Sequence, residues 1–207
     1  GGRTGARSLG ELAALATQVA DAPTLRLRGV AGYEGCLGHD RSPAALSAVR
    51  SYGDALVAAL DRVAPLVEDT PWITAGGSAY FDVVADAFAA VCDARRILRS
   101  GAYLVHDNGF YRGISPLDAD RSRAAALLPA MRGYARVISV PEPGLALLDA
   151  GKRDLPFDEG LPVPLAVGAD LGAPERPLSG VVTALNDQHT FLRWEGPAGV
   201  QVGEVVR

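Results

Sequence analysis

Over the first part of the chain the apolar positions switch between helical and strand spacing. Ser8 with Glu11 three residues on makes a capping box, and Leu12, Leu15 and Val19 follow at helical intervals, which predicts a helix over about 8–20. Leu25 and Leu27 alternate with Arg26 and Arg28, so a strand is expected over Thr24–Val30, running into the glycine-rich loop Gly29–Gly35. Ser42 before Pro43 reads as an N-cap with proline at the first helical position. Leu46, Val49, Leu56, Leu60, Val63 and Val67 then continue one apolar stripe along a long helix. Pro71 ends that segment, Trp72–Ala75 reads as a short buried strand, Gly76-Gly77-Ser78 breaks it, and Tyr80–Val91 is apolar enough for another helix. Strand, glycine loop and helix in repetition predict a parallel α/β fold.

After about residue 130 the pattern changes. Arg132–Val140, Leu145–Leu148, Val181–Leu185, Thr190–Trp194 and Val200–Val206 are short, β-branched and alternating, and the stretch 156–180 between them is rich in proline and glycine turns. The expected layout is an α/β domain over 1–115, then a linking helix and an antiparallel β domain over 116–207.

Composition narrows the function classes. With 48% hydrophobic residues the chain can bury a sizeable core, and a net charge of −4 argues against nucleic-acid binding through a broad basic face. No apolar run approaches the ~20 residues of a membrane span, and the start of the chain does not resemble a signal peptide. Two cysteines, Cys36 and Cys92, make neither a disulfide framework nor a zinc site, so a cytoplasmic protein with both thiols in the core is expected. Lys152 is the only lysine among 20 basic residues; two acids flank it, with Arg153 beside it, and a structural role is expected.

Anion chemistry has two candidate loops. Gly76-Gly77-Ser78-Ala79 lies between a strand and a helix, where backbone amides and the helix dipole favour an anion; it reads equally as an ordinary βα turn. Arg99-Ser100-Gly101-Ala102-Tyr103 follows another short strand and is the second candidate. Neither a Walker loop nor a dinucleotide fingerprint occurs. His39 is expected to be solvated, His106 to end a strand and point into a mouth, and His189 to lie on a hairpin turn.

Taken in order, Gly1–Gly5 with its Arg3-Thr4-Gly5, Gly29–Gly35 with Tyr33, Gly76-Gly77-Ser78, Leu98–Tyr103, Asp149-Ala150-Gly151 and Leu185–His189 resemble the fold-type III pyridoxal-phosphate enzymes. Within them the likeness is to the D-threonine aldolase and D-serine dehydratase-like group. The resemblance implies the C-terminal part of a (β/α)8 barrel of the alanine racemase type followed by a β domain. It also implies a pyridoxal 5'-phosphate site that draws on Arg3, Tyr33, Gly76, Gly77, Ser78, Arg99, Gly101, Ala102 and Tyr103. Arg99 would face the pyridine nitrogen. The resemblance places the Schiff-base lysine before Arg3, and a metal motif that could hold a divalent ion such as zinc after Arg207. The chain is therefore expected to be roughly the C-terminal half of a family member, to need the N-terminal half of the barrel, to form a homodimer and to be inactive alone. In that family pattern the Thr24 strand pairs with an element outside the chain, and the loop of His189 helps to close a neighbouring active site.

The resemblance implies a lyase (dehydratase, deaminase or aldolase) acting on D-amino acids, with an amino-acid racemase as the first alternative, since an arginine at the pyridine nitrogen weakens the electron sink. A non-catalytic pyridoxal-phosphate-binding or scaffold protein is the second. An unrelated metal-dependent barrel hydrolase lacks the ligand clusters it would need.

Overall fold

The computed structural model describes residues 4–118 and 126–207. The chain divides into two compact units, 1–130 and 131–207. The linking helix expected after residue 115 falls partly on residues 119–125, which lie outside the described residues, as does Arg3.

In the first unit, α1 (Leu9–Asp21) begins as its sequence predicts: the Ser8 hydroxyl accepts the Glu11 N–H at 3.2 Å. Helix α2 (Pro43–Val63) starts the same way, with the Ser42 hydroxyl accepting from the Ala45 N–H at 3.3 Å and Pro43 in the first turn. Its buried stripe runs through Val49, Gly53, Leu56, Leu60 and Val63. At Gly53 a Cβ would stand 2.6 Å from the Cβ of Ala87, so the absence of a side chain lets α2 approach α3 (Phe81–Phe88). Between the helices, β1 (Gly29–Ala31), β2 (Trp72–Ala75) and β3 (Arg95–Leu98) pair in parallel in that order, Val30 opposite Ile73 and Ile73 opposite Arg96. Ile73 and Ala75 are fully buried and pack with Val63, Val84 and Phe88. A fourth short helix, α4 (Phe110–Ile114), places Ile114 against Val49 and Tyr80.

Three expectations change here. The strand expected over Thr24–Val30 is Gly29–Ala31, which takes the first three residues of what reads as a loop. Arg26 and Arg28 instead reach Asp69 at 2.8 and 2.5 Å, so their alternation with leucine reflects an ion-pair cluster beside the sheet. The strand begins at Gly29 because its φ is +144° and a Cβ there would lie 2.0 Å from the Trp72 carbonyl oxygen. The third helix is shorter than the expected Tyr80–Val91, and both cysteines are exposed rather than in the core.

The second unit is a seven-stranded antiparallel sheet. In sequence its strands are β4 (Ala135–Glu142), β5 (Leu145–Leu148), β6 (Ala166–Gly168), β7 (Glu175–Pro177), β8 (Val181–Leu185), β9 (Thr190–Arg193) and β10 (Val205–Val206), and in space they follow the order β7-β6-β10-β4-β5-β9-β8. Val137, Ala146, Val167 and Leu192 form the centre of its core. The expected strands are present, but β10 is only two residues long. Two strands, β6 and β7, lie in the stretch that reads as turns. β6 is buried at all three positions and so shows no alternation, and β7 carries Pro177 on a sheet edge, where a missing N–H is tolerated. The mixed α/β architecture agrees with the expected fold class, while the parallel part described is a three-stranded sheet and not a closed barrel. Among the described residues no helix is long and apolar enough to cross a membrane.

Ion pairs join segments of the second unit that are distant in sequence. The Arg136 guanidinium, bonded to Asp170 at 2.7 Å, holds that carboxyl below the usual range, and Arg207 does the same to Glu175 at 2.7 Å. A depressed folded-state pKa means that the stabilisation is complete above the unfolded carboxylate value of about 4 and is lost as pH falls through the folded value. The thermal midpoint of D170N/E175Q should therefore fall less steeply on acidification below about pH 5 than that of the wild type. Parallel acid limbs for the two proteins would mean that neither pair contributes.

Candidate functional site

The C-terminal ends of the three parallel strands carry three loops, the position at which ligands sit in open parallel sheets. After β1 comes Gly32–Gly35, after β2 Gly76–Tyr80, and after β3 Arg99–Gly101, which leads into a 3-10 turn at Ala102–Leu104. Gly76 brings the last two together: a Cβ there would meet the backbone nitrogens of Arg99 and Ser100 at 2.7 Å. Two side-chain bonds fasten the contact. The Tyr103 N–H donates to the Ser78 hydroxyl oxygen at 3.1 Å, and the Ser100 hydroxyl donates to the Gly77 carbonyl at 3.3 Å. The two glycine loops singled out in the sequence thus converge.

The first loop joins them through side chains. Arg99 donates through its guanidinium to the Gly32 carbonyl, and the Tyr33 N–H donates to the Tyr52 hydroxyl at 3.1 Å. Glu34, fully buried, accepts the Gly77 N–H at 2.5 Å through Oε1, while its Oε2 has no hydrogen-bond partner. Glu34 belongs to the glycine-rich segment Gly29–Gly35. No local signal in the sequence marks this carboxyl as buried, since the Gly77 amide that it meets is 43 residues away.

Tyr80 caps the other side. Its ring is fully buried, and its hydroxyl donates to the Asp40 carbonyl at 2.7 Å; burial first, then the Asp40 charge, pushes the phenol above its ordinary pKa. Arg41, to which no sequence motif points, donates to the Ala79 carbonyl at 2.7 Å and pairs with Asp82 at 2.5 Å, fixing the turn that leads into α3.

The donor set fits a phosphate monoester in part. The backbone N–H groups of Ser78, Gly101 and Ala102 have no acceptor among the described residues, and the space beside Gly101 is open to 4 Å. Ser78 is buried, so its free amide calls for a partner. Gly77 does not offer its amide, because Glu34 holds it. Tyr103 likewise commits its N–H to Ser78, and its ring lies 5.6 Å from that of Phe81.

His106 departs from expectation. It follows the 3-10 turn rather than a strand, has φ +42°, and is buried with Asp118, Nε2 to Oδ2 being 3.8 Å. His39 is exposed.

In the second unit two of the quoted segments meet. Gly151 lies so close to Asn186 and Asp187 that a Cβ would come within 2.4 Å of the Asn186 carbonyl oxygen. The Lys152 and Arg153 N–H groups donate to the Asn186 and Asp187 carbonyls at 2.9 and 3.1 Å. The hairpin between β8 and β9 carries His189 beside an open pocket of about 280 Å³, which Asp149, Arg153, Asp154 and Gln188 also line. Lys152 directs its ammonium over the Phe157 ring at 5.5 Å. Among the described residues no group of three or more His, Cys, Asp or Glu side chains could hold a metal ion.

Residues 130–207 match the sequence profile of the putative serine dehydratase domain. The whole chain also superposes on the crystal structure of D-threonine aldolase from Filomicrobium marinum with a TM-score of 0.69 and 24% identity, covering 100% of this chain and 50% of that one. At that identity the match speaks for the fold, and the chain spans about half the length of the aldolase. No curated protein matches the chain. Profile and fold together support the resemblance to the C-terminal half of a fold-type III pyridoxal-phosphate enzyme.

The loop contact makes a testable difference between two glycines. Gly76→Ala should cost about 1–3 kcal/mol in urea unfolding, because the atoms it meets are backbone. Gly101→Ala, facing open space, should change stability by less than about 0.5 kcal/mol. Equal effects would contradict the proposed close packing of the two loops.

Proposed function

We propose that the chain belongs to a pyridoxal-phosphate-dependent lyase acting on D-amino acids, and that its first unit supplies the seat of the cofactor phosphate. The observation that carries this reading is the convergence of two glycine loops with unclaimed amides at the C-terminal ends of parallel strands. The serine dehydratase profile and the D-threonine aldolase fold support a lyase over a racemase, since both names denote cleavage at the β-carbon.

The N–H groups of Ser78, Gly101 and Ala102 would hold the phosphate, a site built from fixed dipoles that need not reorganise on binding. The Ser78 hydroxyl keeps the second loop in register by accepting from Tyr103. Arg99, tied to the Gly32 carbonyl, stands on the first-loop side of this cradle and is the candidate to face the pyridine nitrogen. Tyr33 is half exposed on the same loop and is the candidate to flank the ring. Pyridoxal phosphate, when bound, supplies the electron sink that makes loss of the Cα proton and of a β-substituent accessible. Partners are proposals of the same kind. Among the described residues β1 and β3 pair on one side only, so the remainder of the barrel, and a second subunit as in a homodimer, would cover those edges.

Calorimetric titration of the chain should show pyridoxal phosphate binding at least about tenfold more tightly than pyridoxal, because the phosphate makes the charge-assisted bonds. Equal affinities would remove the phosphate seat. With the full-length protein, D-serine should yield ammonia and a 2-oxo acid, or D-threonine should yield glycine and acetaldehyde. Exchange of the Cα proton with inversion and no cleavage would favour the racemase instead.

A further inference from the structure

Glu34 is the one group at the three loops whose chemistry opposes the phosphate seat. It is a fully buried carboxylate, and one of its oxygens lacks any hydrogen-bond partner. The other oxygen takes the Gly77 N–H at 2.5 Å, a donor that a phosphate on this loop would otherwise use. The approach is built into the backbone: a Cβ on Gly77 would stand 2.9 Å from Glu34 Oε1 and 3.1 Å from the Gly35 Cα. The nearby Arg99 guanidinium is directed to the Gly32 carbonyl, and the described residues give Glu34 no ion-pair partner.

A buried carboxylate with an unsatisfied oxygen is costly to retain unless it has a role. We infer that Glu34 is an internal anion that occupies part of the phosphate seat, competing for the Gly77 amide and opposing a phosphate monoester by charge. This rests on the phosphate reading of the loops. The bound anion would draw on Ser78, Gly101 and Ala102 while Glu34 keeps Gly77, and full use of the loop would require the carboxylate to leave. Glu34 thus lowers the affinity of these loops for any phosphate group, a penalty that a ligand with further contacts elsewhere overcomes.

Two variants separate charge from position. Glu34→Gln keeps an oxygen that can accept from Gly77 and removes the charge; Glu34→Ala removes both. Calorimetry with inorganic phosphate on the whole chain should show both variants binding at least about fivefold more tightly than the wild type, as expected for removing one like charge a few ångström away. In ¹⁵N-correlated spectra the Gly77 amide should respond to phosphate in Glu34→Ala and stay unmoved in the wild type. Weaker binding in Glu34→Ala with unchanged binding in Glu34→Gln would overturn the inference and make Glu34 a support of the loop. If Glu34→Ala does not fold, Glu34→Gln carries the test through charge alone, and unchanged affinity there overturns it. Phosphate binding by the wild type that moves Ser78 and Gly101, with no gain in either variant, refutes competition while the phosphate reading stands. Absence of binding by all three proteins, to phosphate and to pyridoxal phosphate, refutes both.

Discussion

The approach of two backbones at Gly76 sets the geometry of the first unit. Parallel pairing of β2 with β3 brings their C-terminal ends side by side, and the missing side chain at Gly76 lets the following loops touch through the nitrogens of Arg99 and Ser100. Everything proposed for the site depends on that contact: the amides of Ser78, Gly101 and Ala102 lie near one another because the loops do. The supporting bonds, Tyr103 to Ser78 and Ser100 to Gly77, are made by the hydroxyls of two serines. A fixed array of amides is an anion site that needs no lysine or metal in the immediate loop.

The same device recurs in the second unit with another consequence. Gly151 admits the Asn186–Asp187 backbone, and the resulting bonds lay the segment 149–154 along the β8–β9 hairpin. His189 and the acids Asp149 and Asp154 thereby come to line one pocket although they are far apart in sequence. In both units, then, glycines quoted for a family resemblance are positions where backbone meets backbone, which gives that resemblance a physical content.

Much of this was legible in the residues. The capped starts of α1 and α2, the strand Trp72–Ala75 and the hairpin strands Val181–Leu185 and Thr190–Arg193 follow from local signals that tertiary contacts reinforce. Short buried strands were harder: β6 has no polar face to alternate with, and β1 begins at a glycine that reads as a turn because the partner filling its Cβ space is 43 residues away. The converging loops could be proposed from glycines after strands. Glu34 could not, because only the fold reveals that its carboxylate is buried against Gly77, and neither the Arg41–Asp82 pair nor the burial of His106 with Asp118 has a local signature.

The central claim is that the amides of Ser78, Gly101 and Ala102 form one anion seat, and backbone ¹⁵N chemical-shift mapping of the chain during titration with pyridoxal phosphate tests it most directly. The account predicts that Ser78, Gly101 and Ala102 move together along one saturable curve. Shifts confined to Lys152 and its neighbours, with the three amides unmoved, would contradict it.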